Sequence, residues 1–204
     1  LWGTNVNVPA GEGTQALTWG HPVMFTESDG NQFVQIGNTV PNFNTNLSTN
    51  FRFKNLSAYA LLSYMDGADA YNFTKQWSYR DGRNADQDEF GKPEGEKKPN
   101  SYYEKLYQAT NKNSHFVEDA TFLKIREVSL QYTFDQALLN SLLGSANVLQ
   151  RLNLSLTGRN LFTFTDYSGV DPEVGDGDDA TLFRVDNFDY PHFRTFTGRI
   201  EFQF

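Results

Sequence analysis

The ten residues Thr195 to Phe204, TFTGRIEFQF, alternate without exception. Phe196, Gly198, Ile200, Phe202 and Phe204 fall on one side, and Thr195, Thr197, Arg199, Glu201 and Gln203 on the other. A strand shows successive side chains to opposite faces, so this segment has one apolar or small face and one polar face throughout. Two environments accept such a strand. A soluble sandwich buries the aromatic face in its core, whereas an outer-membrane barrel turns that face to lipid and the polar face to a wet lumen. Ten residues tilted near 45° rise about 23 Å, close to the apolar band of such barrels. Taken alone, this strand leaves both environments open.

Four further segments carry the same pattern. Over 43–53, Phe43, Thr45, Leu47, Thr49, Phe51 and Phe53 alternate with Asn44, Asn46, Ser48, Asn50 and Arg52. Over 56–64, Leu56, Ala58, Ala60, Leu62 and Tyr64 alternate with Ser57, Tyr59, Leu61 and Ser63. Lys54 and Asn55 between them predict a tight hairpin turn, because Asn tolerates positive φ. Within 122–134, Val128, Leu130, Tyr132 and Phe134 share one phase, but Leu123 and Ile125 lie in the other, which predicts a bulge near Glu127. Over 151–164, Leu152, Leu154, Leu156 and Gly158 alternate with Arg151, Asn153, Ser155, Thr157 and Arg159. Residues 195–204 are the fifth strand.

The connections alternate in length: Lys54–Asn55, then 65–120, then 135–150, then 165–194. Short turns at one end and long loops at the other are the habit of outer-membrane barrels, with the short turns periplasmic and the long loops extracellular. A compact soluble domain rarely carries connections this long without structure. Residues 1–42 are rich in Gly, Asn, Thr and Pro and read as an extracellular loop region with little regular structure, apart from a short strand at Phe33–Ile36. A short helix is expected at Ser101 to Thr110, with Ser101 and Glu104 as a capping box. Another is expected within 135–150, ended by Gly144.

Composition narrows the partners. A net charge of −8 argues against a nucleic-acid groove, which needs clustered Lys and Arg. No run approaches the roughly 18 apolar residues of a membrane helix, so a membrane span here has to be made of strands. Cysteine is absent, which excludes disulfides, thiolate metal sites and thiol nucleophiles. Eighteen Phe and ten Tyr beside many Asn, Asp, Ser and Thr suit aromatic strands joined by polar loops.

No nucleophile elbow or Gly-rich phosphate loop occurs, so no catalytic residue and no cofactor are expected. His21, His115 and His192 lie in separate loops without metal-ligand spacing and read as polar loop residues. Asp176, Asp178 and Asp179 in the DGDD stretch offer oxygen ligands for calcium, but the spacing of an EF-hand is missing, and a solvated acidic loop is the blander reading. Trp77, Tyr79, Tyr102 and Tyr103 are candidates to stack on a sugar or peptide ligand, or to pack their loop against a partner. Tyr64, Tyr132, Phe134 and Phe164 sit near strand ends and suit interfacial girdles.

The stretch LTGRNLFTFTDYSGVDPEV, Leu156 to Val174, resembles the near-terminal signature of SusC/RagA-like TonB-dependent outer-membrane transporters. There a Gly-x-Asn-Leu-Phe strand end leads into a Tyr-x-Gly-x-Asp-Pro-Glu loop, matched here by Gly158, Asn160, Leu161, Phe162, Tyr167, Gly169, Asp171, Pro172 and Glu173. FLKIREVSLQYTF, the hairpin from Val40 to Gly67, and the final strand are similar to the family in the same order, so the likeness spans about 38–204. The resemblance implies an all-β fold, a transmembrane antiparallel β-barrel of which this chain holds about five strands of a plugged barrel of some 22. It implies that Ile200, Phe202 and Phe204 carry the signal read by the barrel assembly machinery. It further implies a location in the bacterial outer membrane, import of oligosaccharides or peptides, a SusD-like surface lipoprotein as lid, and energy from the TonB complex through an amino-terminal part not in this chain. Asp171, Pro172 and Glu173 are expected to brace their loop rather than to touch ligand. The rival readings are a passive porin or adhesin-like barrel and a soluble carbohydrate-binding β-sandwich.

Overall fold

The computed structural model describes residues 7–10, 13–16, 22, 34–107, 112–144, 148–173, 175 and 184–204. In chain order the elements are β1 (Asn7–Ala10), β2 (Gly13–Ala16), β3 (Phe43–Phe53), β4 (Leu56–Asp66), β5 (Asp69–Asn72), α1 (Phe73–Arg80), α2 (Asn100–Tyr107), β6 (Val117–Asp119), β7 (Phe122–Asp135), α3 (Gln136–Leu143), β8 (Arg151–Thr165), β9 (Val185–Asp186) and β10 (Thr195–Gln203). Two units emerge. One holds 40–68, 120–172 and 190–204, the other 1–39, 69–119 and 173–189.

The first unit is a five-stranded antiparallel sheet in the order β10-β8-β7-β4-β3. Its register aligns the apolar positions of all five strands. Ile200 faces Leu154, Leu154 faces Tyr132, Tyr132 faces Leu56 and Leu56 faces Phe53. One row on, Gly198, Leu156, Leu130, Ala58 and Phe51 line up in the same way. These side chains stand open, with Leu130 48%, Leu156 57%, Phe51 59% and Ile200 63% exposed. A soluble sandwich would cover such a face; here it is bare, as a lipid-facing belt is.

The phase conflict within β7 is resolved by a bulge. Glu127 pairs with Leu61 and Ile125 with Leu62, so Arg126 is the extra residue, and its Nε donates to Ser63 Oγ at 3.1 Å. Skipping one residue puts Ile125 and Leu123 on the same face as Val128. Without the bulge both would turn to the polar side. From Leu152 to Phe164 the belt then extends roughly 25 Å along the membrane normal, taking a rise of about 3.3 Å per residue, a tilt of about 40° and the bulge residues as adding no length. Aromatic rings gather towards its ends: Tyr132 and Phe134 meet edge-on at 4.7 Å, and Phe43 and Tyr64 lie tilted at 5.5 Å.

Local chemistry fixes the short connections. Lys54 and Asn55 close the β3–β4 hairpin, with the positive φ of 51° on Lys54 rather than on Asn55 as expected. Asn55 instead holds the end of β7: its carbonyl accepts from Thr133 N at 2.9 Å and its amide donates to Asp135 at 3.2 Å. Asp135 caps α3 by accepting from Leu138 N, and Gly144 ends it at φ 89°.

The segment expected to be loop is folded in part. The second unit contains a β1–β2 hairpin, the small sheet β6-β5-β9, α1 and α2. Val34–Ile36 form no strand, and Phe33 lies outside the described residues. α2 begins at Asn100, which places Ser101 inside the helix and not at its cap. Its core is aromatic: Tyr71, Tyr79, Tyr103, Leu106, Phe116 and Val185 are buried together.

The register makes a directional prediction for the protein folded into lipid vesicles. Leu130→Arg, pointing outward near mid-belt, should cost roughly 2–4 kcal/mol of folding stability, while Gln131→Arg on the polar face should cost much less. Denaturant titration of the two variants measures the difference.

Candidate functional site

The Gly-x-Asn-Leu-Phe segment is a piece of strand geometry. Opposite the Arg126 bulge, β8 runs from Arg159, paired with Glu127, to Phe162, paired with Ile125, and leaves Asn160 and Leu161 between them. Asn160 takes φ 51°, a conformation Asn tolerates better than most residues. Leu161 folds back over Gly158, where a Cβ would lie 2.7 Å from a Leu161 methyl. Asn160 Nδ2 also donates to Phe193 O at 3.0 Å, which fixes the chain just before β10, and Arg194 lies over the Phe162 ring.

The following loop is held from its start. Tyr167 is buried, and its ring lies so close to Gly169 that no Cβ fits there. Asp171 is buried and receives Lys124 Nζ at 2.6 Å on one oxygen and His192 Nδ1 at 2.9 Å on the other, with His192 N at 3.3 Å. Pro172 beside it is fully buried. A carboxylate bonded by an ammonium, an imidazole and a backbone amide is a tie between β7 and the start of β10. Neither Lys124 nor His192 had any sequence signal for this role, since they lie 47 and 21 residues from Asp171. Glu173 opens the 173–189 segment of the other unit. His21, Asp176, Asp178 and Asp179 lie outside the described residues.

Ile200, Phe202 and Phe204 all stand exposed beside the β10 belt. Of the ligand-contact candidates, Tyr79 and Tyr103 are 1% and 3% exposed and form the core of the second unit, which removes them from contact with a ligand. Trp77 packs edge-on against Phe73, Tyr107 and Phe188 with Arg80 over its ring, and Tyr102 carries Lys98 at 4.6 Å. These two stay partly open.

The buried tyrosines keep their hydroxyls bonded. Tyr79 donates to Asp86 at 2.6 Å, so its oxygen accepts from His115 Nε2 at 2.8 Å. Lys75 lies 3.3 Å from Asp86 and 3.2 Å from Glu118. The Tyr103 hydroxyl lies 2.6 Å from Glu89 Oε1 and 2.7 Å from Asp86 O. Burial, reinforced by the carboxylates, pushes Tyr79 and Tyr103 well above the ordinary phenol value, and burial pushes Tyr71 up to about 12. Burial opposes ionisation of Asp86, but the Tyr79 hydroxyl and Lys75 outweigh it and hold its carboxyl below the usual range. Desolvation of the ring and the Lys75 ammonium keep His115 below its ordinary value. This arrangement closes the tyrosine hydroxyls on protein partners. It is a hydrogen-bonded core.

Two expectations follow from these contacts. Asp171→Ala leaves the buried Lys124 ammonium without its carboxylate and should destabilise the sheet unit by roughly 3–5 kcal/mol, whereas Asp171→Leu with Lys124→Met should recover most of that loss in denaturant titration. Because the folded pKa of Tyr71, Tyr79 and Tyr103 exceeds the unfolded value of 10.0, their contribution is full below that pH and fades as pH rises through the folded values. For Asp86 the sign reverses, and its contribution is lost as pH falls through the depressed value. Tyrosinate absorbance should therefore rise together with loss of the near-ultraviolet dichroism of this unit on alkaline titration.

Comparison with known proteins agrees with the fold. No protein-family model matches the chain. It is 26% identical to TonB-dependent receptor P3 of Formosa agariphila over 192 residues, 89% of this chain and 19% of that receptor. It is 34% identical to TonB-dependent receptor P39 of the same organism over 79 residues, 39% of this chain and 7% of that receptor. The chain thus spans about a fifth or less of the curated relatives it matches. Its fold is similar to the RagAB peptide importer in the open-open state, with a TM-score of 0.61 at 22% identity, covering 97% of this chain and 20% of that one. The relatives are receptors and importers rather than enzymes. In sequence the chain is similar to a part of TonB-dependent receptors and in fold to a part of the RagAB importer, and together these likenesses support a fragment of a TonB-dependent outer-membrane transporter.

Proposed function

We propose that the receptor to which this segment belongs imports oligosaccharides or peptides across the outer membrane, closed from outside by a SusD-like lipoprotein and driven by the TonB complex through its plug. The observation that carries this reading is the two-faced sheet: an apolar belt continuous over five strands, backed by a polar face of a different kind. On that polar face Asn50, Tyr59, Ser129, Thr157 and Thr197 form one row and Arg52, Ser57, Gln131, Ser155 and Arg199 the next. Hydroxyls and amides of this sort exchange hydrogen bonds with a passing polar solute without trapping it, as a conduction path requires. The likeness to a peptide importer supports a peptide cargo.

The long connections 69–119 and 173–189 supply the extracellular wall that meets the lid. Their unit folds around its own aromatic core, and the ends of the larger segment are close, since Ala120 N donates to Ala68 O at 2.7 Å. Replacing 69–119 by a short Gly-Ser linker in the full-length receptor should therefore leave the barrel assembled while lid docking or uptake is lost. Normal docking and uptake by that deletant would sink the assignment.

A further inference from the structure

We infer that Arg194 binds the phosphate of a lipid headgroup in the outer leaflet, an inference that rests on the outer-membrane reading and adds a point at which the protein holds the lipid itself. The outward-facing residues between Thr45 and Phe53, Leu56 and Tyr64, Leu123 and Phe134, Leu152 and Phe164, and Phe196 and Phe202 carry no charge. Two cations stand where that face ends. Lys54 Nζ lies 5.5 Å from the Phe53 ring centroid at the short-turn end, and Arg194 Cζ lies 5.5 Å from that of Phe162 towards the long-loop end.

The fold sets the position of Arg194. It immediately precedes β10, where the 3.0 Å bond from Asn160 Nδ2 to Phe193 O holds the chain against β8. Phe162 stands on the outward face, 54% exposed and stacked on Phe164 at 6.4 Å. The exposed guanidinium over that ring is therefore carried to the lipid side and not into the lumen. An outward arginine is costly at the bilayer midplane and nearly free of cost at the interface, which sets this one at the headgroup level.

Its surroundings leave the cation to an external anion. Glu127 accepts from Arg159, Asp171 from Lys124 and His192, and Asp66, beyond β7 at the same end, from Tyr64 and Asn42. Among the described residues no carboxylate pairs with Arg194, the exposed Asp166 just past β8 included. The Phe162 ring covers one face of the guanidinium and leaves its N–H edges open, and that planar fork matches the oxygens of a phosphate. The source of the phosphate follows from the face. The apolar rows below require hydrocarbon, and the headgroups of the same lipids lie at their upper edge.

The experiment uses the full-length protein in nanodiscs of digalactosyldiacylglycerol, a lipid without phosphate, doped with bisphosphoryl lipid A or with the same lipid A stripped of its phosphates. A benzophenone amino acid replaces Phe164 near the upper end of the belt or, in a second variant, Leu130 near its middle, and photoadducts are identified by mass spectrometry. At position 164 the phosphorylated lipid should reach half-maximal adduct at a roughly tenfold lower fraction than the stripped one, the value of one charge-assisted contact. Arg194→Gln should abolish that advantage, and Arg194→Lys, which keeps the charge but loses the fork, should keep part of it. Equal yields from the two lipids, or an advantage that persists in Arg194→Gln, overturns the inference; lipid adducts at position 130 in that case leave the membrane reading standing. No lipid adduct at either position overturns both.

Discussion

A strand in hydrocarbon has only a neighbouring strand on which to satisfy its backbone N–H and C=O groups. The ladder β10-β8-β7-β4-β3 meets that demand for its three inner strands, and the register it imposes decides everything that faces outward. Because side chains alternate, a slip of one residue anywhere would exchange Leu130 for Gln131 or Ile200 for Arg199 at the lipid surface. Register is therefore held by pairs of unlike kind: the Lys54–Asn55 turn, the Thr133 to Asn55 bond, and the Gln150 to Gln203 bond beside β10.

The second unit obeys a different constraint. It lies among long connections, with short helices and strands of two to four residues, too little apolar length for an aliphatic core. It solves this with tyrosine, which buries a large ring and carries its own hydrogen-bonding tip. Each tip then needs a partner, and Asp86, Glu89, Gln76 and His115 supply them. The polar composition of the segment, which reads as loop, is what such a core requires.

That difference explains what the sequence disclosed. Strands with a period of two announce themselves, as does Gly144 ending a helix, and the broken phase at Leu123 and Ile125 located the Arg126 bulge to within a residue. The loop unit has no period to read. Tyr79 and Tyr103 look the same in sequence as exposed stacking residues, and only the placement of Asp86 and Glu89 against them shows that they point inward. The Lys124–Asp171–His192 tie was hidden for a similar reason: it is made across 47 residues by a fold that the local pattern specifies only in outline. Asn55 carries turn chemistry by type, yet the strain fell on Lys54, because the Asn55 amide and carbonyl are both engaged with the end of β7.

The same structure changes the meaning of the Gly-x-Asn-Leu-Phe and Tyr-x-Gly-x-Asp-Pro segments. Each position has a steric or hydrogen-bonding reason: no room for a Cβ at Gly158 under Leu161, left-handed backbone at Asn160, no room at Gly169 under Tyr167, and a buried ammonium to neutralise at Asp171. None of these requires a ligand. They settle how β8, having carried the polar and apolar faces up through the belt, leaves the sheet and lets the chain return into β10 in register. A barrel with long loops on one side must solve this exit at every strand pair, since an error there propagates down both strands to the opposite end. These segments act as geometric devices, and the parts the register leaves free are the rows of the polar face and the tips of the loop unit.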